Sequence, residues 1–509
     1  KFLESCGASY GTSRLHIIIK ERHHVVRHHR LSIISKPRRR FLASSSSSFM
    51  SLQTVAPLSR IMSFAATRRP TRNQLLKSMT TTRQKSSSGG QQQHFTIDLL
   101  PSRSENLGII TLNRPAALNA LSLDMIRSFN HILPQFRLDE TLQGTLFEGC
   151  HTGKRSVFCS GGDVKSVYMS GKGLSKTEDS VPSDHGYGMP SLETADFFRE
   201  EYQMNNLIAT QPERCPQISI WDGVVMGGGA GISVHGKYRV ATENTLFAMP
   251  ETGIGLFPDV GSMYWLPRLE GGLGTYIALT GARLKADDLM YAGLATHYVP
   301  SSKLGKLRDA LVAATAIASG DSEGNGTGVD DNVHVHVGGI EGVLASFAED
   351  IDTTNSFLAT NRGFIDESFS FENKSSVEEI VESLRLLCSS SGDACDSTEF
   401  GRKTLDTLHK MSPTSLKVTF EGIRRGAELS DVASVLKMEY RMVQRFMREH
   451  SDFYEGVRAV LVDKDHKPKW SPGKLEEVTD DVVESFFESL GDNELVFPED
   501  TNDYATSKL

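Results

Sequence analysis

QISIWDGVVMGGGAG, residues 217–231, decides how the fold is read. Gln217-Ile218-Ser219-Ile220 reads as a strand, which passes Gly223 and runs into Gly227-Gly228-Gly229. A short apolar run ending in glycines is a strand that delivers a tight turn. The same design occurs upstream, where Val157-Phe158-Cys159 enters Ser160-Gly161-Gly162-Asp163. Gly108-Ile109-Ile110-Thr111-Leu112 is a further strand, closed by the turn Asn113-Arg114-Pro115. Ser122 then stands as an N-cap before Leu123, Met125-Ile126, Phe129 and Ile132-Leu133, which have helical spacing. Thr145-Leu146-Phe147, Tyr238–Ala241 and Leu246-Phe247-Ala248 read as strands and Ala195–Ile208 as a helix. Strands alternating with helices predict an α/β core with mainly parallel pairing. Residues 341–509 have a mainly helical pattern, Val432–Met447 included. The expected organisation is a basic segment 1–94, a catalytic core 95–310, a Gly/Asp-rich insertion 311–340 and a helical region 341–509.

The glycine runs fail the phosphate-binding patterns. G-x-G-x-x-G is broken because Ile232 and Val234 fill the third-glycine positions, and neither run continues into Gly-Lys-Ser/Thr. Gly231-Ile232-Ser233-Val234-His235 misses the hydrolase elbow at its last residue. What is left is two glycine turns, Gly161-Gly162 and Gly227–Gly229, each reached from a strand. Two unpaired backbone N–H groups from separate turns are what a developing oxyanion requires. Two tight turns with no further task are the commoner outcome for such glycines.

Carboxylates shift that balance. Met249-Pro250-Glu251-Thr252 and Leu256-Phe257-Pro258-Asp259-Val260-Gly261 place two acids eight residues apart, each behind a proline. Ile254, Leu256, Phe257 and Trp265 make their surroundings largely apolar, and an acid there is costly unless partnered or functional. Glu201, in Phe197-Phe198-Arg199-Glu200-Glu201-Tyr202, is a third candidate; as a helix acid its plainer reading is a solvated residue paired with Arg199 or a neighbour. His334 and His336 alternate inside the insertion without a third ligand at useful spacing, so no metal is expected.

Composition narrows the class. The 509 residues are 39% hydrophobic and 8% aromatic, enough for a sizeable core, with no long apolar run for a membrane helix. Cys6, Cys150, Cys159, Cys215, Cys388 and Cys395 form no CxxC pair, which argues against a disulfide scaffold or a structural zinc module. The net charge of −8 conceals a division: residues 1–94 carry 17 Lys and Arg against Glu4 and Glu21, leaving the remainder strongly acidic. That basic, Ser-rich, acid-poor segment predicts a mitochondrial transit peptide, with Met50, Met62 or Met79 as alternative starts within an upstream extension. Ser507-Lys508-Leu509 is a competing peroxisomal address.

Taken together, these segments resemble the enoyl-CoA hydratase/isomerase (crotonase) superfamily. The resemblance lies in Asn113-Arg114-Pro115 with Asn119-Ala120-Leu121, Phe158–Asp163, Met226–Gly229 and Phe247–Thr252, and covers about 105 to 475. Phe197–Tyr202, Gly255–Gly261, Lys410-Met411-Ser412-Pro413-Thr414-Ser415 and Glu455-Gly456-Val457-Arg458-Ala459 resemble its subgroup of 3-hydroxyacyl-CoA thioester hydrolases. The resemblance implies a spiral of ββα units with a helical C-terminal region. It implies hydrolysis of 3-hydroxyisobutyryl-CoA, and of 3-hydroxypropionyl-CoA, in valine catabolism. The oxyanion amides would be those of Gly162 and Gly228, the catalytic acidic pair Glu251 and Asp259, and a further substrate-contacting acid Glu201. CoA enters as part of a small-molecule substrate, with no separate cofactor and no nucleic-acid or membrane partner expected; a homo-oligomer is compatible with the sequence. Hydratases of the superfamily carry two glutamates just after the glycine triplet; that position is Gly231 here, and Asp259 stands where they have a small residue. Ser160, where Ala is usual, and Ser262-Met263 after Gly261 are lesser departures. A hydratase or isomerase on the same fold, and an RNA-binding or scaffold member using the basic arm, are the rival readings.

Overall fold

A computed structural model of the chain describes residues 95–99, 106–150, 156–173, 192–317, 338–389 and 396–498. The basic segment 1–94, His334 and His336 with most of the insertion, and Ser507-Lys508-Leu509 lie outside the described residues.

Among the described residues nine strands make two sheets. β1 (Phe95–Leu99), β2 (Leu107–Leu112), β3 (Gly144–Gly149), β5 (Gln217–Trp221), β7 (Tyr238–Ala241) and β9 (His297–Tyr298) form one, in that order. β4 (Val157–Cys159), β6 (Val224–Met226) and β8 (Leu246–Ala248) form the other. Among the described strands only β1 with β2 is antiparallel; the other pairs are parallel. The strand pairs β3–β4, β5–β6 and β7–β8 each give their first member to the large sheet and their second to the small one. A chain that repeats this step winds as a spiral, as the family resemblance implied.

The large sheet is covered on both faces, which is why its strands are apolar without strict alternation. Leu107, Ile109, Leu146, Ile218 and Val240 pack under Leu307, Leu311, Val343 and Leu344 of two helices, Leu304–Ile317 and Gly339–Phe347. Ile110, Leu112, Phe147 and Trp221 face the other way, into a core shared with Phe369, Leu416, Leu436, Tyr440 and Phe453. The C-terminal helices therefore belong to the same hydrophobic core as the strands. The helix Leu304–Ile317 also runs through the boundary expected at residue 310.

Five helices position the site. α1 (Leu123–Leu138) starts where expected, its Ser122 hydroxyl accepting from the Met125 amide at 3.3 Å. α2 (Val164–Gly171) and α3 (Leu192–Ala209) follow β4, and α4 (Gly228–Gly231) follows β6. α5 is Val432–Phe446, near the C-terminal end of the described chain.

Candidate active site

The small sheet is the organiser. Parallel register pairs Cys159 with Val225, Val225 with Phe247 and Met226 with Ala248, so the three strands end along one edge. From that edge leave Ser160-Gly161-Gly162, Gly227-Gly228-Gly229 and Met249-Pro250-Glu251. The two glycine turns abut: a β-carbon on Gly161 would stand 3.7 Å from the Gly228 nitrogen. Gly161 (φ 111°) and Gly227 (φ 47°) hold backbone angles that side chains disfavour. Gly162 bridges Leu121 through its neighbours, with Leu121 N–H donating to Gly161 O and Asp163 N–H to Leu121 O, both 2.8 Å. That pattern turns the N–H of Gly162 itself away from Leu121. Among the described residues neither the Gly162 nor the Gly228 amide donates a hydrogen bond. A β-carbon on Gly228 would fall 3.1 Å from the Gly162 nitrogen and 2.7 Å from Glu201 Oε1. The space left by that missing side chain is thus ringed by an unpaired amide and a carboxyl.

Glu201 on α3, Glu251 opening the short 3-10 turn Glu251–Ile254 after β8, and Asp259 eight residues later are 2%, 6% and 5% exposed, so the plainer reading of Glu201 as a solvated helix acid fails. Arg199 instead approaches Asp196 at 3.8 Å. Glu201 Oε1 and Glu251 Oε2 are buried without a hydrogen-bond partner among the described residues. Burial, then the nearby charges of Asp259 and Glu251, holds the Glu201 carboxyl well above the usual range. Burial and then Asp259 do the same to Glu251. Burial pushes Asp259 up to about 7, against the pull of the Tyr202 hydroxyl, which donates to Asp259 Oδ2 at 2.9 Å. Three carboxyls this close cannot all ionise independently, so the cluster retains protons near neutral pH.

The supporting residues come from far apart in the chain. Arg114 ties the Asn113-Arg114-Pro115 turn to the first glycine turn, donating to Asp163 Oδ2 at 2.7 Å and to Ala120 O at 3.0 Å. Asp163 also caps α2 at Ser166 N, so it braces its turn. Asn119, buried with φ 56°, donates to Val157 O and Phe158 O and pins this loop to β4. The Glu251 turn rests on the C-terminal region: Ser412 N–H donates to Thr252 O at 3.2 Å, and Gly456 leaves no room for a β-carbon against Ile254. Sequence reading missed Tyr202, Asn205, His235 and Glu439. His235 Nε2–H donates to Val260 O at 2.9 Å, and burial keeps that imidazole neutral by lowering its affinity for a second proton. Glu439 was legible as an acid on the apolar face of α5, four residues from both Val435 and Val443. A separate cavity of about 370 Å³, beside Thr111, Glu148 and Arg308, touches none of the three acids.

The model of the enoyl-CoA hydratase/isomerase family matches residues 107–487. The chain belongs to that family. It is 46% identical over 388 residues to the mitochondrial 3-hydroxyisobutyryl-CoA hydrolase of Xenopus laevis, covering 76% of this chain and 88% of that one. The human protein of the same name is 41% identical over 77% of this chain and 88% of its own. Among solved structures, a carnitinyl-CoA dehydratase from Mycobacterium thermoresistibile matches with a TM-score of 0.63 and 33% identity, over 80% of this chain and 99% of that chain. An enoyl-CoA hydratase from Rhodobacter sphaeroides matches at 0.62 and 29%, over 80% and 100%. The resemblance set Gly231 apart from the hydratases, and the packing around it is tight. A β-carbon there would meet Val260 Cβ at 2.6 Å and Asn205 Nδ2 at 3.0 Å, so no glutamate fits.

Proposed function

We propose that the chain hydrolyses 3-hydroxyisobutyryl-CoA, and 3-hydroxypropionyl-CoA beside it, to the free hydroxy acid and CoA in valine breakdown. The relatives that match over three quarters of its length are named 3-hydroxyisobutyryl-CoA hydrolase. One observation carries the chemistry: the unpaired amides of Gly162 and Gly228 lie beside the unpartnered, buried Glu201 Oε1, and Glu251 approaches the same glycine turn at Gly227.

The thioester carbonyl oxygen would take the amides of Gly162 and Gly228, which strengthen their hold as negative charge develops. Glu251, once ionised, attacks the carbonyl carbon or takes a proton from a water that does so. In either route the C–O bond forms, the C–S bond breaks and CoA leaves as a thiolate that is protonated from the acid cluster. By direct attack a single water then cleaves the resulting anhydride, returning the Glu251 carboxylate and releasing the hydroxy acid. Asp259, steadied by Tyr202, holds the water or the acyl hydroxyl, and Glu201 orients that hydroxyl. The mitochondrial matrix is the proposed compartment, supported by the basic composition of residues 1–94 and the relatives' names.

Thiol release from 3-hydroxyisobutyryl-, 3-hydroxypropionyl- and isobutyryl-CoA, assayed beside crotonyl-CoA hydration, tests the reading. Release that favours the hydroxylated esters is expected. Hydration without release would instead identify a hydratase, and Gly231 opposes that outcome. Salt-sensitive RNA binding that vanishes without residues 1–94, and no thiol release, would favour the scaffold reading.

A further inference from the structure

Asp259 sits at the start of an unusual turn. Val260 has φ 56° and Gly261 φ 81°, two successive left-handed residues, the first of them β-branched. A β-branched residue is a steric outlier there and persists only where its surroundings over-determine it. The surroundings are explicit. His235 holds Val260 O, and the Glu439 carboxyl accepts from Gly261 N–H at 2.6 Å and Met263 N–H at 2.9 Å. Ser262 N–H returns to Asp259 O at 3.0 Å, so the turn held by Glu439 is the one that aims the Asp259 side chain.

Glu439 is fully buried on α5, 178 residues from the first amide that it holds. Two amides alone do not call for a carboxylate, since a neutral amide or hydroxyl cap satisfies such donors at less desolvation cost. The carboxyl spans both amides with one rigid group, which fixes their separation. Glu439 also lies close enough to feel the Asp259 charge, as do Tyr202, Glu201 and Glu251.

We propose that Glu439 is a positioning residue: by clamping the turn 260–263 from the C-terminal helical region, it sets where the Asp259 carboxyl stands beside Glu251 and Tyr202. This rests on the hydrolase reading, and it makes the helical region a working part of the site.

Glu439→Gln and Glu439→Ala are compared with Leu436→Ala, a buried apolar truncation on the same helix. Thiol release, Tm and a crystal structure of the full chain are measured for each. Gln keeps one acceptor and Ala none, so kcat is expected to fall about 10-fold and then about 100-fold or more, with KM within about 2-fold of wild type. Leu436→Ala should lower Tm with kcat unchanged. In the Glu439→Gln crystal the Tyr202–Asp259 bond should lengthen beyond hydrogen-bonding distance. A Glu439→Gln enzyme with lowered Tm, wild-type kcat and Asp259 unmoved would overturn the proposal, and it decides the matter even if the alanine variant does not fold. Should wild type release no thiol, the hydrolase reading falls, and the position of Asp259 in the crystal alone decides for or against Glu439.

Discussion

Glu201 Oε1 stands 2.7 Å from the point that a β-carbon on Gly228 would occupy. The largest displacement a methyl group there demands is of the end of a side chain; it would also crowd the Gly162 nitrogen at 3.1 Å, and Gly228 has no left-handed φ to lose. Gly228→Ala is therefore expected to fold with Tm near wild type while the methyl fills the space beside the two amides. Losing one such donor costs roughly 10²–10³ in kcat. Steady-state thiol release with a parallel thermal melt checks this. Full activity in a folded Gly228→Ala protein would remove the amide pair from the mechanism.

Glu251→Gln should abolish hydrolysis and leave binding intact. The substitution preserves shape and removes the carboxylate proposed to attack, while CoA-ester affinity rests on the remaining contacts. Single-turnover assays should show a loss of about 10³-fold or more, of the size seen when an essential nucleophile or base is removed. Calorimetry with a non-hydrolysable thioether analogue should give a Kd within a few-fold of wild type.

Much of this site was legible before any coordinates. The strand-to-glycine turns at 157–162 and 217–229 are local patterns, and local patterns survive folding because a β strand needs a turn at its end wherever it lies. Glu251 and Asp259 were visible because acids flanked by Phe257 and Leu256 are chemically out of place. Tyr202 and Glu439 were not identified, for a different reason. Their roles exist only after α3 and α5 pack against the Asp259 turn, and no spacing in the chain encodes a contact across 178 residues. The shared core had the same obstacle: helical periodicity at 341–509 announces helices but not which sheet face they cover.

The acid cluster should give the protein an inverted pH response. Asp259 has its pKa raised from 3.8 to about 7 on folding, so the folded chain binds its proton more tightly than the unfolded chain. Its favourable contribution is fully present below 3.8 and is lost as pH rises through about 7. Asp259→Asn cannot suffer that loss. The variant's Tm relative to wild type should therefore climb between pH 4 and pH 8, and a flat difference across that range would contradict the burial assigned to Asp259.

Activity should follow the same groups in the opposite sense. Attack needs ionised Glu251, whose carboxyl burial and Asp259 hold well above its ordinary value of 4.5. The acidic limb of kcat/KM should accordingly lie well above 4.5, with turnover rising as pH increases through it. In Asp259→Asn, loss of the neighbouring negative charge should move that limb to lower pH even where kcat is reduced. A limb near 4.5 in wild type would mean that water reaches Glu251 freely.

Gly231→Glu offers the sharpest separation of hydrolase from hydratase. It restores a glutamate at the position where hydratases of the family carry one, so on sequence grounds alone it ought to create water addition. The packing opposes this, because the new β-carbon would press on Val260 Cβ at 2.6 Å, inside the turn that carries Asp259. Val260 is held by His235 and by its neighbours' bonds to Glu439, so it cannot give way without moving the acid. The expected outcome is a destabilised protein, by about 1–3 kcal/mol for overpacking of this kind, with thiol release lost and no crotonyl-CoA hydration gained. Gly231→Ala should lose most of the same release, since the clash begins at the first carbon. Measurable hydration by Gly231→Glu would show that the Asp259 turn is softer than its contacts require.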